Sequence, residues 1–167
     1  MSPEIANHWR LRKQRLRLIG EICLNCEVVI FPPRDICPNC NQEARTPYEL
    51  SGKGNVESWA LVDRDEAPPR FKKQAPYIVA HIRTEEGPVI TARLTDLNWR
   101  EIKVPDGNGD WFWRKEYDVK KGMPVEAVTR LYFEDGERGP LIYGYKFRPP
   151  IRQITQTGSP VHSQGSS

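Results

Sequence analysis

The four cysteines of this chain, Cys23, Cys26, Cys37 and Cys40, fall as two C-x-x-C pairs separated by ten residues, inside a stretch of eighteen. Paired two-residue spacing lets each turn aim two sulfurs at one point about 2.3 Å away, which is what a tetrahedral zinc requires. Pro32, Pro33 and Pro38, with Asn25 and Asn39 at turn positions, favour two tight knuckles that face each other. Two disulfides are the competing use of the same thiols. Residues 1–20 contain no apolar signal core, so a reducing, cytoplasmic setting and a metal are expected. Four sulfur ligands leave no coordination position for water or substrate, which gives Zn2+ a structural role. Its binding free energy, about 10–16 kcal/mol for such sites at neutral pH, would fold a segment too small to have its own core.

At 167 residues, with 38% hydrophobic and 28% charged content, the chain fits one ordinary domain with a small appendage. No apolar run approaches the roughly 20 residues that a membrane helix needs. The net charge of +3 is too small to announce a nucleic-acid protein, although Arg10, Arg12, Lys13, Arg15 and Arg17 form a basic cluster with no acid between them. Such a cluster is commonly the solvated face of a helix.

Residues 1–20 suit a helix: Pro3 fits its first turn, Ile5, Trp9 and Leu16 share a face, and Gly20 is a stop. Trp9 is then either a packing staple or a contact for a partner protein. Residues 21–48 are the four-cysteine ribbon and 49–150 the main domain. Within the latter, five stretches rich in Val, Ile, Tyr, Trp or Thr, at 54–62, 77–84, 88–94, 124–133 and 141–147, predict β-strands. Turn residues at 85–87 and 134–139 pair the second strand with the third and the fourth with the fifth. Five antiparallel strands of this length close economically into an OB-type Greek-key barrel, which removes exposed edges. The fold class expected is therefore mainly β: an N-terminal helix, a rubredoxin-like zinc ribbon and a five-stranded OB-fold barrel.

Two segments depart from that pattern. Residues 98–122 form a long connection carrying Trp111, Phe112 and Trp113, which either folds over one end of the barrel as a lid or docks on another protein. The tail at 151–167, poor in apolar residues, is expected to be disordered.

The order of features has a family likeness. Trp9-Arg10 on a helix, Phe31-Pro32-Pro33-Arg34 within the ribbon, Leu50-Ser51-Gly52-Lys53-Gly54, Gly122-Met123-Pro124-Val125 and Tyr143-Gly144-Tyr145-Lys146-Phe147 together resemble the zinc-ribbon and OB-fold proteins of the DUF35 family, over about residues 5–150. The resemblance implies a noncatalytic accessory or scaffold subunit. It would bind acyl-CoA and dock, as part of a hetero-oligomer, on a thiolase-fold acyl-CoA enzyme such as an acetyl-CoA acetyltransferase, a hydroxymethylglutaryl-CoA synthase or a thiolase-like aldolase. The insertion at 98–122 departs from the family pattern and bears on the partner more than on the fold.

The residues themselves supply no catalytic set. With every thiol committed to metal, no cysteine nucleophile remains, and His8, His81 and His162 lie far apart in the sequence. No nucleophile elbow, Walker loop or dinucleotide fingerprint occurs. Gly52-Lys53-Gly54 is a bend into the first strand, too short for a phosphate cradle. A surface for coenzyme A needs cations for phosphates and an apolar groove for the arm. Arg34, Lys53 and Lys146 are candidates for the charge, with Phe31, Tyr77 and Phe147 for the groove. Trp9, Trp111 and Trp113 are candidates for partner docking. The alternative is a single-stranded nucleic-acid module that stacks bases on Tyr77, Tyr143 and Tyr145 beside the basic helix.

Overall fold

The computed structural model describes residues 3–105, 109–134 and 139–151. The chain starts with two short helices, α1 (Pro3–Arg10) and α2 (Arg12–Arg17), joined at Leu11. The helical region ends earlier than the sequence suggests, because Leu18 adopts the left-handed conformation (φ 50°) that glycine at position 20 was expected to supply. For a non-glycine residue this costs about 1–2 kcal/mol, and burial of a leucine side chain, here 4% exposed in the barrel core, offsets it by about 1.5–3 kcal/mol. Gly20 serves a different purpose: a Cβ there would stand 2.3 Å from the Ile30 carbonyl oxygen. Among the described residues Trp9 is not a packing staple, being 68% exposed with the Arg12 guanidinium over its ring.

Five short strands make the ribbon: β1 (Ile19–Ile22), β2 (Val29–Ile30), β3 (Asp35–Ile36), β4 (Glu43–Ala44) and β5 (Thr46–Glu49). They form a three-stranded sheet in the order β2-β1-β5 and a β3-β4 hairpin. Its own buried cluster is only Cys23, Ile30, Cys37 and Ala44.

The barrel is built from β6 (Lys53–Val62), β7 (Tyr77–Thr84), β8 (Val89–Arg93), β11 (Pro124–Glu134) and β12 (Leu141–Arg148), with a 3-10 segment, Pro69–Gln74, between β6 and β7. All hydrogen-bonded neighbours in the order β12-β11-β6-β7-β8 are antiparallel. These are the five strands expected from the sequence, within a residue or two at each end. Alternation puts Val56, Ile78, Ala80, Ile82, Ile90, Ala92, Val125 and Phe147 in one core. A parallel bridge between Leu94 and Phe147, with Thr95 N–H donating to the Phe147 carbonyl at 2.8 Å, nearly closes the barrel between β8 and β12. Beside this narrow seam lies the groove described below.

Residues 98–122 are not a lid. They hold a hairpin of β9 (Trp99–Pro105) and β10 (Trp111–Tyr117), paired from Trp99↔Tyr117 to Trp111↔Pro105 in a sheet of its own. Its base is anchored: Val119 is buried, Leu97, Tyr117 and Met123 pack on the barrel core, and Tyr117 donates its hydroxyl to the Pro76 carbonyl. Farther out, β10 is exposed from Trp111 through Glu116. A hairpin satisfies its inner backbone groups by itself, so nothing obliges it to lie on the barrel. Among the described residues no helix is long and apolar enough to cross a membrane. Residues 106–108, 135–138 and 152–167, the last being nearly all of the tail expected to be disordered, lie outside the described residues, as does His162.

Candidate functional site

The two cysteine knuckles are built alike. Cys23 N–H donates to the Val28 carbonyl and Glu27 N–H to the Cys23 carbonyl; Cys37 N–H donates to Gln42 and Asn41 N–H to Cys37, all at 2.8–3.0 Å. Glu27 and Asn41, each following the second cysteine of its pair, take φ values of 59° and 58°. This repeated turn brings the four sulfurs within 4.8 Å of one another. Cys23 and Cys40 Sγ are 3.5 Å apart, as are Cys26 and Cys37 Sγ. A disulfide needs about 2.05 Å, whereas the edge of a tetrahedron of sulfurs around zinc is about 3.8 Å. The cluster has the dimensions of a zinc site and all four cysteines are free of disulfides.

The thiols differ in their surroundings. The Asn25 side chain, then the Gln42 backbone, hold the Cys40 thiol down to about 6. Cys26 is lowered chiefly by the Val28 backbone N–H and then by the Asn39 side chain. At Cys23 the Cys26 backbone N–H pulls downward, but burial and the thiols of Cys40 and Cys26 prevail and push it up to about 11. A divalent cation at the centre would take all four as thiolates. Glu21, only 8% exposed, stiffens the ribbon by accepting the N–H groups of Arg34 and Asp35 at 2.8 and 3.0 Å.

A second feature lies on the barrel wall. The 3-10 segment Pro69–Gln74 folds over β8 and β11 and leaves two adjoining cavities of about 350 and 960 Å³ that share Arg70, Arg93 and Phe133. Among the described residues, Arg15, Arg70, Lys73, Arg93, Lys146 and Glu134 line them, with Phe71, Tyr77, Tyr132, Tyr143 and Tyr145 supplying aromatic surface. The combination of cations and rings suits a ligand with an anionic end and an apolar arm. At the centre, the Arg93 guanidinium is 3.9 Å from the ring centroids of both Phe71 and Tyr77. Arg93 Nη1 donates to Gln74 Oε1 at 2.8 Å, and Gln74 Nε2 donates to the Tyr132 carbonyl at 2.9 Å. This chain of contacts ties the 3-10 segment to β11.

Of the six residues singled out for acyl-CoA, the structure brings Tyr77 and Lys146 to the larger cavity. Phe31 packs at the joint of ribbon and barrel, edge-on to Tyr145 at 6.1 Å. Phe147 is 0% exposed, a core residue with no surface to offer a ligand. Arg34 and Lys53 are exposed and line neither cavity. Arg93, Gln74 and Phe71 went unnoticed in the sequence. The one signal was Pro68-Pro69 before a basic-aromatic run, which marks a bend without saying which strand it covers. His81, on the outer barrel wall, is exposed, with Nδ1 3.1 Å from the Ser58 hydroxyl.

The third feature is the aromatic arm. Trp99, Trp111, Phe112 and Trp113 are 51, 61, 46 and 66% exposed. Lys115 Nζ sits 4.1 Å from the Trp99 ring and Arg100 Nε donates to Glu116 Oε2 at 2.6 Å. Polar contacts thus hold the strands together while the large rings stay in solvent.

Comparison with known proteins places these features in a wider set. Residues 12–43 match the family described as the ChsH2 rubredoxin-like zinc ribbon domain, and residues 47–130 match the ChsH2 C-terminal OB-fold domain. The chain is 43% identical to a DUF35 domain-containing scaffold protein of Methanocaldococcus jannaschii, covering 87% of this chain and 90% of that protein. A protein of the same description from Pyrococcus furiosus is 38% identical over 89% of this chain and 95% of its own. Among solved structures, a chain of an Ltp2-ChsH2(DUF35) aldolase superposes with a TM-score of 0.58 at 24% identity, over 90% of this chain and 98% of that one. The last likeness is one of fold.

Proposed function

This chain belongs to the DUF35 family of scaffold proteins, with a zinc-ribbon region and an OB-fold domain, and from that premise we propose that it is a noncatalytic subunit that docks on a thiolase-fold acyl-CoA enzyme and receives the acyl-CoA in its basic-aromatic groove. The observation that carries the docking role is the β9–β10 arm, whose tryptophans stand in solvent on a hairpin braced by its own ion pair. Exposed aromatic clusters of this kind are typical anchors of protein interfaces. The groove supports the ligand class, since among the described residues Lys73, Arg93 and Lys146 lie beside six aromatic rings. Zn2+ would be held by Cys23, Cys26, Cys37 and Cys40, where it supplies a closed structural clamp and no reactive position.

A partner enzyme is supported by the relatives' description as scaffold proteins, beside a solved neighbour whose description names an aldolase. Co-expression with thiolase-fold enzymes of the host, followed by size-exclusion chromatography, tests it directly. A stable complex that takes up radiolabelled acetyl-CoA is the expected outcome. A chain that elutes alone with each such enzyme and binds no acyl-CoA would refute the proposal. Because the groove also has the cations and rings of a single-strand binder, a labelled oligonucleotide titration at two salt concentrations is the companion measurement; tight, steeply salt-dependent binding would favour a nucleic-acid role.

A further inference from the structure

Arg93 is the one buried cation among the described residues, at 6% exposure, and no carboxylate pairs with it. Other arginines of the barrel have acids: Arg83 has Glu57, Arg130 has Asp96, and Arg148 has Glu126. A guanidinium withdrawn from water costs several kcal/mol unless an anion or a full set of acceptors compensates. Here the compensation is incomplete. Phe71 and Tyr77 cover its surroundings at 3.9 Å, and only Nη1 has an acceptor, the neutral Gln74 amide. Nε and Nη2 have no hydrogen-bond acceptor among the described residues. Arg93 itself lines both cavities.

We propose that Arg93 floors a phosphate-binding subsite of this groove, where Nε and Nη2 take two oxygens of one phosphoryl group side by side. Rings that hold a guanidinium leave its in-plane donors as a fork, the arrangement that matches phosphate. Lys73 and Lys146 line the same cavity and complete a cationic wall. Lys146 is held below its usual 10.5 by burial and then by the positive charges of Arg93 and Arg130, a repulsion that a polyanion would relieve. The inference rests on the acyl-CoA assignment above and deepens it: the phosphates of the coenzyme sit against Arg93, and the apolar arm runs along the rings toward Tyr143 and Tyr145.

The test is calorimetric titration of the full-length chain with coenzyme A, with pantetheine, which has the arm without phosphates, and with inorganic pyrophosphate. Wild-type protein, Arg93→Gln, Arg93→Lys and Lys146→Gln are compared, and thermal melts report their folding. Loss of a charge-assisted pair of hydrogen bonds should weaken coenzyme A and pyrophosphate by about tenfold or more in Arg93→Gln, with a smaller loss in Arg93→Lys and no change for pantetheine. Equal coenzyme A binding by wild type and Arg93→Gln overturns the subsite and leaves the acyl-CoA assignment standing. Arg93-dependent pyrophosphate binding without coenzyme A binding keeps the subsite and removes the assignment. Binding of neither overturns both. If Arg93→Gln fails to fold, Lys146→Gln decides: weaker pyrophosphate binding supports the subsite and unchanged binding overturns it.

Discussion

Replacing Cys37 by Ser removes one sulfur from the metal cluster without changing side-chain size much. Four ligands share a binding free energy of about 10–16 kcal/mol, so one is worth about 2.5–4 kcal/mol, or two to three orders of magnitude in zinc affinity. The effect on the fold follows from what else holds the ribbon. Of the four buried residues in its hydrophobic cluster, Cys23 and Cys37 are themselves ligands, which leaves Ile30 and Ala44. Burial of one Ile contributes about 1.5–3 kcal/mol, while ordering each residue from 23 to 44 costs about 1–2 kcal/mol. Without metal the ribbon should therefore unfold, and the barrel, with its own core from Leu18 to Phe147, should persist. Zinc analysis with hydrogen exchange resolved by peptide measures both quantities. Chelator, or Cys37→Ser at limiting zinc, is expected to abolish protection over residues 23–44 and to leave β6, β7 and β8 protected. Unchanged ribbon protection after complete metal removal would refute the reasoning, as would barrel strands that lose protection together with the ribbon.

Trp111→Ala with Trp113→Ala should weaken association with the partner enzyme by about 2 kcal/mol or more per ring while the barrel's melting temperature stays put; lost barrel stability with intact association would indicate a packing role, read by calorimetry beside thermal melts. Phe147→Ala, which empties a fully buried site, should cost about 3–5 kcal/mol of stability in urea denaturation. A stable variant impaired only in ligand binding would put Phe147 back in the groove. Glu86 accepts the Ser51 N–H at 2.6 Å; desolvation pulls its carboxyl upward, but the Ser51 backbone and hydroxyl outweigh it and hold it below the usual 4.5. A carboxyl lowered by folding stabilises the protein above its unfolded value and loses that contribution as pH falls through the folded one. Wild type should thus exceed Glu86→Gln in stability at neutral pH and converge with it in acid, and a pH-independent difference would show that the charge is irrelevant.

How legible each part was depended on the range of the interactions that make it. Five barrel strands and their two hairpins follow from alternation and turn residues, which act over a few positions. The hairpin at 99–117 escaped notice because its strands carry Arg, Glu and Lys between their apolar residues and bury almost nothing, so they lack the one-sided pattern by which a barrel strand is recognised. Helix termination at Leu18 in place of Gly20 was hidden for a related reason: a leucine tolerates the left-handed region only because the barrel core receives its side chain.

The contrast between the two candidate sites has the same cause. Sequence alone determined the metal cluster, since both cysteines of a knuckle lie within one turn and local backbone hydrogen bonds aim their sulfurs. It equally determined the kind of barrel. Only the tertiary structure decided that Phe147 belongs to the core, that Arg34 and Lys53 stand apart from Tyr77 and Lys146, and that Arg93 is buried. Arg93 points outward from its strand, where a charged side chain would ordinarily meet water, and the segment at 69–74 returns over it from roughly twenty residues away in sequence. No local pattern encodes that cover, because it depends on how a bend in one connection meets the wall formed by two distant strands.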